Sequence, residues 1–160
     1  MTEKFTFFWQ NKSTFSQWHK SMFMENGQVF TCAEQYMMYH KAMLMGDIKT
    51  AQLILDAGYN PRKHKELGRQ VTPFNAELWS DNCKEIVYRA NYLKFTQNTE
   101  MLEVLKSTRG TELVEASPYD KIWGIGLLET DPRAQDKSTW QGTNWLGEVL
   151  TQLRMHLIGE

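Results

Sequence analysis

Thr31-Cys32-Ala33-Glu34-Gln35-Tyr36-Met37-Met38-Tyr39-His40-Lys41-Ala42-Met43-Leu44-Met45-Gly46 is the stretch on which the fold turns. Thr31 and Glu34 have the T-x-x-E form of a capping box, and Gly46 supplies a stop, so the spacing predicts a helix over 31–45. Within it Glu34, Met38, Lys41 and Met45 fall on one stripe, spaced i, i+4, i+7 and i+11. An acid and an amine two turns apart, with methionine between them, would sit at the edge of an apolar pocket. Partial burial raises a carboxyl pKa and lowers an amine pKa, a combination that suits a proton donor and a nucleophilic amine. The plainer reading is that Glu34 only closes the capping box and Lys41 only extends to solvent.

Working outward, residues 5–9 form a short aromatic run and residues 21–24 read as extended. Glu25-Asn26-Gly27-Gln28 is a hairpin turn, because Asn-Gly tolerates the positive φ that tight hairpins need. Beyond Gly46, Asp47 opens a helix over 48–57 with Gly58 as its stop. Asn60-Pro61 is an N-cap followed by proline at the first helical position, giving a short helix through Leu67. Residues 68–73, Gly-Arg-Gln-Val-Thr-Pro, read as a break. A long helix over 76–95 and a shorter one over 101–106 follow, then a strand over 112–116 and a last helix over 144–157. The expectation is an α+β fold: a single compact, mainly helical domain over 1–160 with a small β-sheet.

The composition bounds the function. The chain has 160 residues, with 18 Lys+Arg against 19 Asp+Glu and a formal net charge of -1. That excludes a nucleic-acid binder held by its overall field, though not one that docks its substrate on a local basic rim. Six Trp, six Tyr and eight Phe accompany nine Met, so stacking surfaces for a flat ligand are expected beside the core. Cys32 and Cys83 lack metal-ligand spacing, and the four histidines show no H-E-x-x-H pattern. The pattern implies no metal and no cofactor. MTEKFTFFWQ has no charged region leading into a long apolar run, and no segment approaches the ~18 apolar residues that cross a bilayer. A soluble cytoplasmic protein with reduced thiols and no membrane partner is the expectation.

Residues 117–143 carry Pro118, Pro132, Gly124, Gly126, Gly142 and three aromatic side chains. A loop this long inside a compact domain points to function or disorder, and its tryptophans speak against disorder. Glycines beside Trp123 let backbone N–H groups approach a ligand while the indole stacks on it. Asn144 precedes the last helix and could cap it, leaving a phosphate at that N-terminus. The spacing matches neither a dinucleotide fingerprint nor a P-loop, and a turn-rich connection with one buried tryptophan explains it equally well.

Several blocks stand in a fixed order: Phe7-Phe8-Trp9, Phe15-Ser16-Gln17-Trp18 and the run from Cys32 through Ala42; then Gly68-Arg69, Trp79, Lys94-Phe95 and Leu113-Val114-Glu115-Ala116-Ser117; and finally Asp120, Trp123-Gly124-Ile125-Gly126 and Gly142-Thr143-Asn144-Trp145-Leu146-Gly147. Taken in that order, these blocks resemble the NADAR family, the YbiA-like group of N-glycosidases. The resemblance covers the chain from Phe7 to about Arg154. It implies an α+β hydrolase that cleaves N-glycosidic bonds at a ribose. Two substrate groups go with the family: ADP-ribose on the exocyclic amine of guanine, in nucleic acid or nucleotide, and ribosylamino-pyrimidine intermediates of riboflavin biosynthesis. Ser16-Gln17-Trp18 stands where many members have Ser-Asn-Phe, which resembles the branch that removes ADP-ribose from guanine.

Carried over by position, the family's acid falls on Glu34 and its lysine on Lys41. Asp120, Trp123, Gly124, Gly126 and Asn144 fall on its C-terminal motif. Trp18, Trp79 and Trp123 are candidate walls of the pocket, and Arg69, Lys94 or backbone amides near Asn144 are candidates to face phosphate. A glycosylamine can open to an imine, so Lys41 could exchange with it through a Schiff base while Glu34 moves protons. Direct attack of water with Glu34 as base is the rival route. An ADP-ribose reader without turnover, and an interaction module with an aromatic surface, are the alternatives of another class. The oligomeric state is not legible.

Overall fold

A computed structural model describes residues 4–160. In chain order its elements are β1 (Phe5–Phe8), β2 (Phe23–Glu25), β3 (Gln28–Phe30), α1 (Ala33–Leu44), α2 (Ile48–Asp56) and α3 (Pro61–Arg69). Then come α4 (Ala76–Thr96), α5 (Thr99–Lys106), β4 (Glu112–Glu115), two 3-10 turns (Pro132–Gln135 and Lys137–Thr139) and α6 (Trp145–Ile158). The fold is α+β and mainly helical, and the strands form two two-stranded sheets. Contacts group residues 17–98 into one compact unit and residues 4–16 with 99–160 into another.

In the unit of residues 17–98, β2 and β3 pair antiparallel across Asn26-Gly27, whose φ angles are 50° and 83°. Both central residues are left-handed, the requirement that Asn-Gly meets at least strain. Asp47 and Asn60 start α2 and α3 by accepting from the N–H groups of Thr50 and Lys63, and Asn75 starts α4 by accepting from Leu78. Phe23, Phe30, Ala33, Tyr36, Ile86 and Ala90 form the core between the hairpin, α1 and α4. Each large apolar side chain buried there contributes roughly 1.5–3 kcal/mol.

Two expectations are corrected here. Thr31 and Glu34 do not form the capping box. The Thr31 N–H and hydroxyl both donate to Gln35 Oε1, at 2.8 Å each, while Gln35 Nε2 donates to the Ile54 carbonyl in α2. A buried amide that satisfies groups on two elements outcompetes the local T-x-x-E pairing. The second correction concerns α3, which continues through Gly68 to Arg69 instead of breaking after Leu67. Gly68 lets α3 lie against α1, since a Cβ there would overlap Met38 Sδ.

In the other unit, β1 and β4 pair in parallel with Phe5 opposite Glu112 and Phe8 opposite Glu115. Val114, Ala116, Ile125, Leu127 and Ala134 form its core, with Phe5, Phe7 and Trp140 packed against it. Helix α6 lies on β4 through Gly147, where a Cβ would overlap the Leu113 carbonyl oxygen and the Asn144 amide. Neither neighbour can move aside, because Asn144 Nδ2 donates to Leu113 O (3.0 Å) and its Oδ1 accepts from Glu115 N–H (3.0 Å). Gly147→Ala is therefore expected to cost about 3 kcal/mol, the upper range for overpacking, despite alanine's better helix propensity. Denaturant titration checks this, and an unchanged midpoint would contradict the close approach.

Candidate active site

The α1 stripe organises one face of the 17–98 unit. Glu34 is 8% exposed, and its N–H donates to the Gln17 carbonyl at 3.0 Å. Gln35 Oε1 accepts from both the N–H and the hydroxyl of Thr31. Met38 packs on Gly68 and so fixes the end of α3 that carries Arg69. Met45 Sδ accepts from Asn75 N–H at 3.3 Å and fixes the start of α4. Between these anchors stands Lys41, half-buried, its Nζ 4.9 Å from the Phe74 ring centroid and 5.6 Å from that of Trp79.

Desolvation draws the Lys41 amine below its ordinary range, the Glu34 charge opposes that, and the Arg69 charge reinforces it. The arrangement thus brings Glu34, Lys41, Arg69 and Trp79 into one electrostatic and packing neighbourhood. An amine with access to its neutral form can add to a carbonyl or imine carbon, and a buried acid beside it can move the accompanying protons. Half-buried Trp18 is tied to the same unit through its carbonyl, which accepts from Tyr59 Oη at 2.6 Å.

Phe74 is a member of this cluster that the sequence reading passes over. A signal for it exists: Asn75 is the N-cap of α4, so Phe74 and Trp79 occupy the N′ and N4 positions of a hydrophobic staple. That spacing puts an apolar side chain on each side of the helix entry, and here both flank Lys41.

Lys94 cannot face a phosphate. It is fully buried on α4, and burial lowers its pKa to about 7, with the Cys32 charge acting the other way. The amides near Asn144 are also committed within the fold. Those of Asn144, Trp145 and Leu146 donate to the carbonyls of Gly124, Ile122 and Trp123. Asn144 itself has φ 54° and makes no side-chain cap, because both ends of its amide are bonded to β4.

Hydrogen bonds within the loop of the second unit define its shape. Asp120 Oδ1 accepts from the N–H groups of Ile122 (2.9 Å) and Trp123 (2.8 Å), an Asx turn that sets the indole. Half-buried Trp123 meets Trp145 edge to face, with centroids 5.7 Å apart. Gly126 has φ 70°, and a Cβ on Gly124 would crowd the carbonyls of Glu115 and Asp120. Asp120, Trp123, Gly124, Gly126 and Asn144 are therefore brought together in one tight turn system. Among the described residues no group of three or more His, Cys, Asp or Glu could hold a metal, and no helix is long and apolar enough to cross a membrane.

A mainly helical α+β domain with an acid and a desolvated amine on its first helix is the class that fold and site define. Within that class the chain belongs to the NADAR family, whose domain model matches residues 7–158. It is 52% identical over 130 residues to Protein irg-1 of Caenorhabditis elegans, covering 80% of this chain and 61% of that protein. The chain thus spans about three-fifths of that relative's length. It is 42% identical over 164 residues to N-glycosidase R617 of Acanthamoeba polyphaga mimivirus, covering 96% of each. It is 30% identical over 155 residues to the chloroplastic riboflavin biosynthesis protein PYRR of Zea mays, covering 92% of this chain and 23% of that one. The NMR structure of the Escherichia coli protein YbiA superposes with a TM-score of 0.78 at 24% identity, covering 98% of this chain and 86% of that chain. The fold is therefore YbiA-like.

Proposed function

We propose that the protein is an N-glycosidase that cleaves the bond between a ribose anomeric carbon and an exocyclic amine, removing ADP-ribose from guanine. The observation that carries this reading is the pairing of buried Glu34 with a desolvated Lys41 on one face of α1. The likeness to a mimivirus N-glycosidase over nearly its full length supports the reaction class. Ser16-Gln17-Trp18 favours the guanine-linked substrate.

The chemistry follows from the leaving group. A glycosylamine opens when its ring oxygen takes a proton and the nitrogen lone pair forms a C=N bond. Neutral Lys41 Nζ then adds to that carbon. Protonation of the exocyclic nitrogen, with Glu34 as donor, breaks its bond to carbon and leaves a lysine imine. Water adds with Glu34 as base, the lysine departs, and the freed aldehyde recloses to ADP-ribose. The sum is substrate plus water giving free guanine amine plus ADP-ribose, and every proton returns. Arg69, exposed at the end of α3, supplies positive charge for the diphosphate.

The test is incubation with a guanine-ADP-ribosylated oligonucleotide and, in parallel, with a ribosylamino-pyrimidine phosphate. Release of ADP-ribose from the first is the expected result. Sugar release from the second alone would assign the chain to the other reading, which its 30% identity to the PYRR protein supports. Glu34→Gln keeps the shape and removes the proton, so it is expected to slow turnover by about 10²–10⁴-fold. A folded Glu34→Gln variant with ordinary turnover would remove the residue from the mechanism.

A further inference from the structure

Phe74 is fixed in place without being buried. Thr72 N–H donates to Asp47 Oδ2 (3.0 Å) on one side, and Asn75 N–H donates to Met45 Sδ (3.3 Å) on the other. Asn75 Oδ1 accepts from Leu78 N–H (3.0 Å), and Val71 is buried where the segment begins. Between these anchors the Phe74 ring remains 49% exposed, and Leu78, one turn into α4, remains 37% exposed. An apolar ring on an anchored backbone that still faces water has yet to gain from leaving it, so a flat ligand collects that gain on binding. Lys41 Nζ, 4.9 Å from the ring centroid, marks where the anomeric carbon is attacked. The leaving amine is attached to that carbon, so the base it belongs to projects from the same point.

We propose that Phe74, extended by Leu78, is the stacking wall for the departing base, and that it selects a bicyclic purine over a monocyclic pyrimidine. This rests on the N-glycosidase reading given above. The larger ring system overlaps more of an exposed aromatic face such as that of Phe74, and stacking gain follows overlap. Arg69 and Lys41 give the sugar end its charge, and Lys41 lies where that end meets the Phe74 ring. The site thus divides into a charged half for the sugar and an apolar half for the base.

Two measurements on the intact chain separate the base subsite from the reaction. In the first, guanosine and cytidine are titrated by calorimetry against the unsubstituted chain, Phe74→Ala, Phe74→Leu and Phe74→Trp. Guanosine is expected to bind at least tenfold more tightly than cytidine, to lose about tenfold in Phe74→Ala and most of that in Phe74→Leu, and to keep its affinity in Phe74→Trp. In the second, free ADP-ribose is incubated with the chain and borohydride. Its aldehyde condenses with Lys41, releasing water, and hydride reduces the imine to a stable amine whose mass is read, with Lys41→Met as the blank. That adduct is expected to form in the unsubstituted chain and to be absent from Lys41→Met. Absence of guanosine binding, or affinity unchanged in both Phe74→Ala and Phe74→Leu, overturns the proposal, as does cytidine bound as tightly as guanosine. If the unsubstituted chain gives no adduct and no turnover, the catalytic reading fails while the titration still decides Phe74.

Discussion

Lys41→Met is expected to release ADP-ribose at least about a thousandfold more slowly than the unsubstituted chain, with its fold intact. Methionine retains an unbranched apolar stem against Phe74 and Trp79 but has no nucleophile. Loss of a covalent nucleophile commonly removes three or more orders of magnitude, and what is left comes from binding and the remaining acid. The pH profile carries independent information. Only the neutral amine attacks, and burial aided by Arg69 lowers the Lys41 pKa from 10.5 against the pull of Glu34. Activity should therefore rise with pH and level off below the ordinary lysine range. Arg69→Gln removes a like charge, so it should move that limb to higher pH as well as weaken diphosphate binding. Circular dichroism of Lys41→Met establishes folding, and steady-state kinetics gives the rest. Turnover within tenfold of the unsubstituted chain would exclude a lysine imine and leave direct attack of water with Glu34 as base.

Much of this site was legible because its parts are local. The 34–38–41–45 stripe follows from helical spacing alone, and the helix starts at Asp47 and Asn60 follow from single residue types whose side chains reach their own backbone. What escaped depends on neighbours distant in sequence. Gly68 reads as a stop by itself; that it continues a helix is decided by Met38, thirty positions earlier. Glu34 reads as the partner of Thr31 until Gln35 proves able to bond both Thr31 and α2. Phe74 stands in an aperiodic segment beside a proline, and only the staple spacing with Trp79 hints at it. Asn144 reads as a helix cap, yet its amide is drawn to the β4 backbone. In each case a tertiary partner overrode a sound local preference.

The charge on Lys94 is the clearest instance of a residue whose role in sequence and place in structure differ, and it supports the second large prediction. Lys94→Met is expected to gain stability relative to the parent as pH falls from 10 to 7, because it removes a buried amine that the folded chain holds neutral. In the folded chain the amine is fully buried, and desolvation brings its pKa to about 7 from 10.5. Each unit of that difference is worth about 1.4 kcal/mol. Between those values the unfolded chain holds a proton that the folded chain does not, so the unsubstituted protein loses stability as pH falls from 10.5 towards 7 and levels off below. Methionine keeps nearly the same length, makes similar contacts with the Phe95 ring and carries no proton, so its variant lacks that slope. The gain should be largest at and below pH 7 and shrink steadily up to pH 10. Taking the difference between the two proteins at each pH cancels every other titrating group. Denaturant midpoints at pH 7, 8.5 and 10 measure it. A Met variant less stable than the parent at all three values would show that the amine is held by hydrogen bonds stronger than its desolvation cost. A constant difference would show that it titrates normally despite its burial.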